Sequence, residues 1–415
     1  MSPESLRLDR GLGWPALQGA STSPLGWPAA PGAARDADQV VLNGDVSRET
    51  GDGDVTGGGG PSRALDAAVD HARPGSPEAA RGQGSTGSAA AENALASLVS
   101  RETERDELAG SLPSGDADTP LARAVADDAR KRIALTGRAF PKPAETRVLT
   151  IANQKGGVGK TTTTVNVAAG LAQAGLTVLV IDIDPQGNAS TALGIEHHAE
   201  VTSIYDVLVD GVALADVVQE CPDVPGLWCA PATIDLAGAE IELVSLVARE
   251  TRLQKALDAY LAEVGEEGGA VPDYVLIDCP PSLGLLTINA FVAAREVFIP
   301  IQCEYYALEG LSQLLKNIEL IRSHLNPTLH LSTILLTMYD GRTRLSAQVA
   351  DEVRAHFPDQ VLRTTVPRSV RISEAPSHGQ TVMTYDPNSS GALSYLGAAS
   401  ELADRGAASD APAQN

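Results

Sequence analysis

The run Lys155-Gly156-Gly157-Val158-Gly159-Lys160-Thr161-Thr162 has the residue types and spacing that chemistry on a phosphate requires. Glycines at 156, 157 and 159 let a backbone curl until successive N–H groups face one anion, and a helix opening at Lys160 adds its positive end. From that helix start Lys160 can reach the β- and γ-phosphates of a nucleotide, and the Thr161 hydroxyl can ligand Mg²⁺. The plainer reading, a glycine-rich turn with a helix-capping threonine, leaves the Lys-Thr pair unexplained. Three carboxylates complement the loop. Asp182 and Asp184 close the apolar run LTVLVIDID, and Asp278 ends DYVLID, where a carboxylate can reach Mg²⁺ through water. A solvated turn with helix-capping carboxylates is the other reading of Asp182 and Asp184.

Such groups act together only if strands deliver them to one edge. RVLTIAN (147–153), LTVLVIDID (176–184), LWCAPA (227–232), DYVLIDCPP (273–281), EVFIPIQ (296–302) and HLSTILLTMY (330–339) are short apolar runs typical of buried parallel strands. Helical periodicity marks 161–175, a long amphipathic helix from about Asp235 to Leu261, and further helices near Leu308–Leu325 and Thr343–Phe357. This alternation implies right-handed βαβ units with a ligand site beyond the strand C-termini. The predicted fold class is α/β, a P-loop NTPase with a mostly parallel twisted sheet and helices on both faces.

Composition divides the chain. Residues 1–118, rich in Ala, Gly, Pro, Ser and Asp, lack periodic apolar patterning and read as a long disordered N-terminal arm. Residues 119–145 read as a helical lead-in and linker, with Thr119 as cap, Pro120 in the first turn, and Pro141 and Pro143 as the stop. Residues 146–405 form the ATPase-like core, and 406–415 a disordered tail. The net charge of −22, of which −16 falls after residue 145, excludes a broadly basic nucleic-acid coat. Any such contact needs a local cluster, and Arg342, Arg344, Arg354, Arg363, Arg368 and Arg371 face only Asp351, Glu352 and Asp359 within their own segment. Cys221, Cys229, Cys279 and Cys303 show no metal-ligand spacing and read as buried thiols of a reducing compartment. With no signal-like or membrane-length apolar run, the expectation is a soluble cytoplasmic protein without a membrane partner.

Gln154 occupies the place of the first glycine in an ordinary GxxxxGK[ST] loop, and Lys155 is an additional lysine. KGGVGKTTT closely resembles the deviant Walker A of the ParA/MinD ATPases. DIDPQGN (182–188), VLIDCPP (275–281), QCEYYALEG (302–310), VPRSVRISEAPSHG (366–379) and YDPNSSGA (385–392) resemble the chromosomal ParA/Soj branch, over about residues 146–405. The resemblance implies ATP and Mg²⁺ as cofactors and a homodimer in the ATP state. It implies a trans-acting Lys155, Asp184 orienting the attacking water, Asp182 near the Mg²⁺ network and Pro367 completing an adenine pocket. It also implies that Arg342 and Arg371, with Arg368 as an auxiliary, bind double-stranded DNA without sequence preference; Ser369 stands where the family more often has Asn. A ParB-like centromere-binding partner would stimulate hydrolysis, on a nucleoid-associated, ATP-dependent chromosome-segregation protein, with a polar scaffold as a further partner. The alternatives are a MinD-like division-site ATPase, which the acidic C-terminal residues disfavour, and a DNA-coating polar scaffold with slow ATPase. The cysteine arrangement disfavours an electron carrier of the nitrogenase-reductase kind.

Val-Ser-Arg-Glu-Thr occurs twice, at 46–50 and 99–103, in otherwise unrelated surroundings. The centromere palindrome that the resemblance brings with it, GTTTCACGTGAAAC, translates in one frame as those five residues. The 25 arginines against 6 lysines suggest a GC-rich gene, which would rarely choose those codons unprompted. Sequencing the gene should therefore find codons 46–50 and 99–103 within a base or so of GTT-TCA-CGT-GAA-ACN. Ordinary GC-rich codons at both places would leave a peptide motif or chance.

Overall fold

The computed structural model describes residues 120–304 and 307–409; the arm and both pentapeptides lie outside the described residues. Within these, eight strands form one sheet: β1 (Arg147–Ile151), β2 (Val178–Asp182), β3 (Gln219–Glu220), β4 (Leu227–Ala230), β5 (Tyr274–Asp278), β6 (Glu296–Gln302), β7 (His330–Tyr339) and β8 (Val361–Pro367). Their spatial order is β3-β4-β2-β5-β1-β6-β7-β8. All pairings are parallel except the short β3, which runs antiparallel to β4 at one edge.

Burial on both faces explains the unbroken apolar runs. Leu149, Ile151, Val178, Val180, Tyr274 and Leu276 join one core with the helices Lys160–Gln173 and Ser390–Ser409. The intervening Val148, Leu179, Ile181, Val275 and Ile277 are buried too, on the face where Arg252–Glu266, Leu285–Ala293 and Ala307–His324 pack in series. On the first face the helices meet closely at Gly170, where a Cβ would lie 3.1 Å from that of Ala399. Asn166 of the same helix accepts the Val382 N–H at 2.8 Å. All four cysteines are free and buried. Among the described residues no helix is long and apolar enough to cross a membrane.

Three local expectations need correction. The single helix expected from Asp235 to Leu261 is two, Leu236–Leu243 and Arg252–Glu266, separated by Ala248 at φ 53°. The Asn289 side chain fixes the break, donating to the Arg249 carbonyl at 2.8 Å and accepting the Leu253 N–H at 3.2 Å. The helix Pro120–Leu135 stops near Gly137, at φ 67°, before either proline. Its Arg132 donates to the Pro387 and Asn388 carbonyls, and Arg138 pairs with Asp404 at 2.8 Å. Finally, β8 is a full strand that the apolar pattern did not disclose.

At the opposite edge from the strand C-termini, Arg147 grips Glu296 through two hydrogen bonds of 2.8 and 2.6 Å, with side chains only 14% and 10% exposed. Burial by itself would raise Glu296; the bonds and charge of Arg147 outweigh it and hold the carboxyl below its usual value. Glu296→Ala should cost about 3–5 kcal/mol in chemical denaturation, because it strands a buried guanidinium. The depressed carboxyl makes its contribution in full above its unfolded value of about 4.3 and loses it as pH falls through the lower folded value. Wild type should therefore show an acid limb of lost stability below about pH 4 that Glu296→Gln lacks in part.

Candidate functional site

Strand register assembles the site. Ile151 of β1 and Asp182 of β2 both lie beside Asp278 of β5, so the loop after β1 and both aspartates share one sheet edge. The loop is pinned from two neighbouring strands. Asn153 accepts the Lys155 N–H at 3.0 Å and donates to the Pro300 carbonyl at 2.8 Å. Thr337 of β7 donates to the Val158 carbonyl at 2.8 Å, and Val158 is buried beneath. Gly157 and Gly159 sit at φ 74° and 88°, the left-handed region where a side chain is strained. A Cβ at Gly156 would meet nothing within 4 Å, so that position opens onto free space. The helix Lys160–Gln173 starts from Gly159 with no side-chain cap, which leaves its first N–H groups for an anion.

Charge is concentrated beneath the loop. Lys160 is 7% exposed; burial lowers its pKa, while Asp278 and Asp184 pull it back. Asp278 is fully buried, and burial followed by the neighbouring Asp182 raises its pKa, with Thr161 and Thr164 opposing. Thr164 donates to Asp278 Oδ1 at 2.9 Å; Thr161 lies near the carboxylate, but among the described residues no group meets its buried Oδ2 in hydrogen-bond geometry. Asp182, equally buried, is committed to its own chain. Its Oδ1 accepts the Asp184 N–H at 3.1 Å, and its Oδ2 accepts the Ser190 N–H and hydroxyl at 2.9 and 2.8 Å. Burial raises Asp182 as well, and those hydrogen bonds offset part of the rise. Asp184 follows on the clamped loop, 7% exposed, with Oδ1 accepting the Gln186 N–H. Ser190, Thr164, Asn153 and Thr337 escaped sequence reasoning; only Thr164, one helical turn after Lys160, carried a local signal.

The remaining candidates lie toward the β7–β8 side. Lys155 Nζ pairs with Glu304 of its own chain at 2.8 Å, and Arg368 approaches the same carboxylate at 3.9 Å. Pro367 ends β8, in register with Tyr339 of β7. That register brings the segments that carry Arg342 and Arg368 to the same end of the two strands. Arg342 is 91% exposed at its side chain and bonded to Asp340, while Arg371 pairs with Glu374 at 3.1 Å and Asp386 at 3.5 Å. Arg354 and Arg363 meet Asp351 and Glu401. Of the six arginines, Arg342, Arg368 and Arg371 each face carboxylates of their own.

The description of the family that matches residues 146–331 is an AAA domain. The chain is 53% identical over 260 residues to the sporulation initiation inhibitor protein Soj of Bacillus subtilis, covering 63% of this chain and 99% of that one. It is 47% identical over 259 residues to the chromosome-partitioning ATPase Soj of Treponema pallidum, covering 62% and 98%. Among solved structures, cobyrinic acid a,c-diamide synthase of Mycobacterium smegmatis, with a bound ATP analogue and magnesium, matches at TM-score 0.52 and 37% identity, covering 63% of this chain and 93% of that one. Nearly whole relatives thus align at about half identity with the part of the chain that builds this loop and its carboxylates. The chain belongs to the ParA/Soj family of chromosome-partitioning ATPases, a P-loop enzyme on a mostly parallel α/β sheet.

Proposed function

We propose that this ATPase is a nucleotide-driven switch, monomeric without ATP and a DNA-bound dimer with it, reset by hydrolysis when a ParB-like centromere-binding protein engages. The observation that carries the nucleotide part is one arrangement: an uncapped helix start, a buried Lys160 and a buried Asp278 oxygen without a partner. A lysine and two aspartates held out of water in this way fit a polyphosphate, which the lysine attracts, and Mg²⁺, which the aspartates attract. Among the described residues no three His, Cys, Asp or Glu side chains are grouped to hold a metal by themselves. Thr161, together with phosphate oxygens, would hold Mg²⁺, and Asp278 would reach it through water.

In this reading Gly156, Gly157, Val158, Gly159, Lys160, Thr161 and Thr162 cradle the phosphates through backbone N–H groups, and Lys160 neutralises the β/γ bridge. Bound Mg²⁺ supplies charge neutralisation on the transferring phosphoryl group. Asp184 orients the attacking water, and Asp182 acts indirectly, by clamping the loop that carries Asp184. Pro367 closes the adenine end. Lys155 acts in trans on the partner's nucleotide and must first leave Glu304; an ion pair this exposed is worth under about 1 kcal/mol, so release is easy. Arg342 and Arg371, assisted by Arg368, contact DNA phosphates, and dimerisation doubles the contacts. The protein would therefore sit on the nucleoid.

Lys160→Ala and Lys155→Ala separate the two lysines. Titration with a fluorescent ATP analogue should show affinity reduced by about ten- to hundredfold in the first and little changed in the second. Size-exclusion at saturating ATP should then find Lys155→Ala monomeric; a wild-type dimer fraction would refute the trans role. Asp184→Ala should bind ATP, dimerise and stay on DNA, with phosphate release slowed by about a hundredfold or more. Loss of the dimer instead would make Asp184 a structural residue.

A further inference from the structure

The three arginines at the ends of β7 and β8 do not form a bare basic patch. Asp340 Oδ1 accepts both the backbone N–H of Arg342, at 3.0 Å, and its Nε, at 2.9 Å, while Oδ2 accepts Nη2 at 3.1 Å. One edge of the guanidinium is therefore occupied, and Asp340 is held below its usual pKa by those bonds. Arg371 is bracketed: Nη1 donates to Glu374 Oε2 at 3.1 Å and Nε lies 3.5 Å from Asp386 Oδ2. Arg368 stands 3.9 Å from Glu304. With Lys155, which also pairs with Glu304, four positive charges meet four carboxylates, so the group is close to neutral before any ligand arrives.

A phosphodiester approaching such a group has to exchange with a carboxylate already in place. The exchange swaps one anion for another on the same guanidinium, and the displaced carboxylate stays nearby to repel the phosphate. Little is gained per arginine. We propose that Asp340 and Glu374 are discrimination residues for DNA: by occupying Arg342 and Arg371 they keep a lone protomer off the duplex, so that only the doubled contacts of a dimer hold it. This rests on the reading of Arg342 and Arg371 as DNA contacts. Both acids are local, two residues before Arg342 and three after Arg371, so each arginine carries its own competitor. Counterion release gives the proposal a signature. A carboxylate freed by phosphate recruits a cation from solution, cancelling about one of those that the DNA gives up.

The test is fluorescence anisotropy of a labelled duplex without nucleotide, across a series of salt concentrations. Asp340→Asn with Glu374→Gln should bind about tenfold more tightly than wild type. The slope of log affinity against log salt should steepen by about one per arginine uncovered. Asn keeps the acceptor for the Arg342 N–H, so the turn survives, and ATP-driven dimerisation checks the fold. Arg342→Glu with Arg371→Glu, read at saturating ATP, is the control: binding like the wild-type dimer there would remove the arginines from the DNA reading itself. If that control releases DNA while the acid-to-amide variant keeps wild-type affinity and slope, the discrimination role is wrong. Asp386→Asn, outside the turn and the short helix, provides a second arm. It should tighten binding by a few fold through Arg371, and no change there would count equally against the proposal.

Discussion

Two carboxylates sit side by side on neighbouring parallel strands, Asp182 on β2 and Asp278 on β5, both wholly removed from water. Placing like charges there is costly, and most of the surrounding structure limits that cost. Ser190 and the Asp184 amide saturate Asp182, Thr164 serves one oxygen of Asp278, and Lys160 stands opposite with its own solvation removed. What remains is a residual imbalance, a single unserved oxygen beneath an uncapped helix end. Preorganisation of this kind is stable only because the strands on either side fix the backbone, and it leaves the site complementary to a cation–polyphosphate pair.

The same edge divides labour along the sheet. The β2–β5–β1 side holds the buried charges, where dielectric screening is weak and each hydrogen bond matters. The β7–β8 side holds exposed arginines, where screening is strong and only number and exchange matter. Lys155 stands between the two regimes, attached to the loop but paired with the half-exposed Glu304. A group in that position can change partners at small cost, as a fully buried lysine cannot.

The fold was largely legible in the sequence because the central strands are buried on both faces and so appear as unbroken apolar runs. The loop was legible because its glycines answer to backbone geometry, visible at Gly157 and Gly159. The break at Ala248 was not. Leu236, Ala239, Leu243, Leu253 and Leu257 keep helical spacing across it, and its cause is Asn289, forty residues from the Arg249 carbonyl it holds. The partners of the arginines were hidden for a similar reason. Asp340 and Glu374 lie just outside residues 342–371, and Glu304 and Asp386 come near only through the fold. Asp182 is a subtler case: its position was evident, but its commitment to Ser190 appears only once the helix Asn188–Ala192 is built.

The helix that opens at the phosphate loop is supported by the far end of the chain. Its Asn166 holds the Val382 amide, and its Gly170 receives Ala399 of the final helix. During synthesis this helix emerges more than two hundred residues before its cover. A nascent chain ending before about residue 380 leaves that face exposed to water, however well its earlier strands pair. Completion of the site is therefore a late event in the making of the protein, set by contacts more than two hundred residues apart, and the chain cannot finish its nucleotide cradle until about residue 400 has left the ribosome.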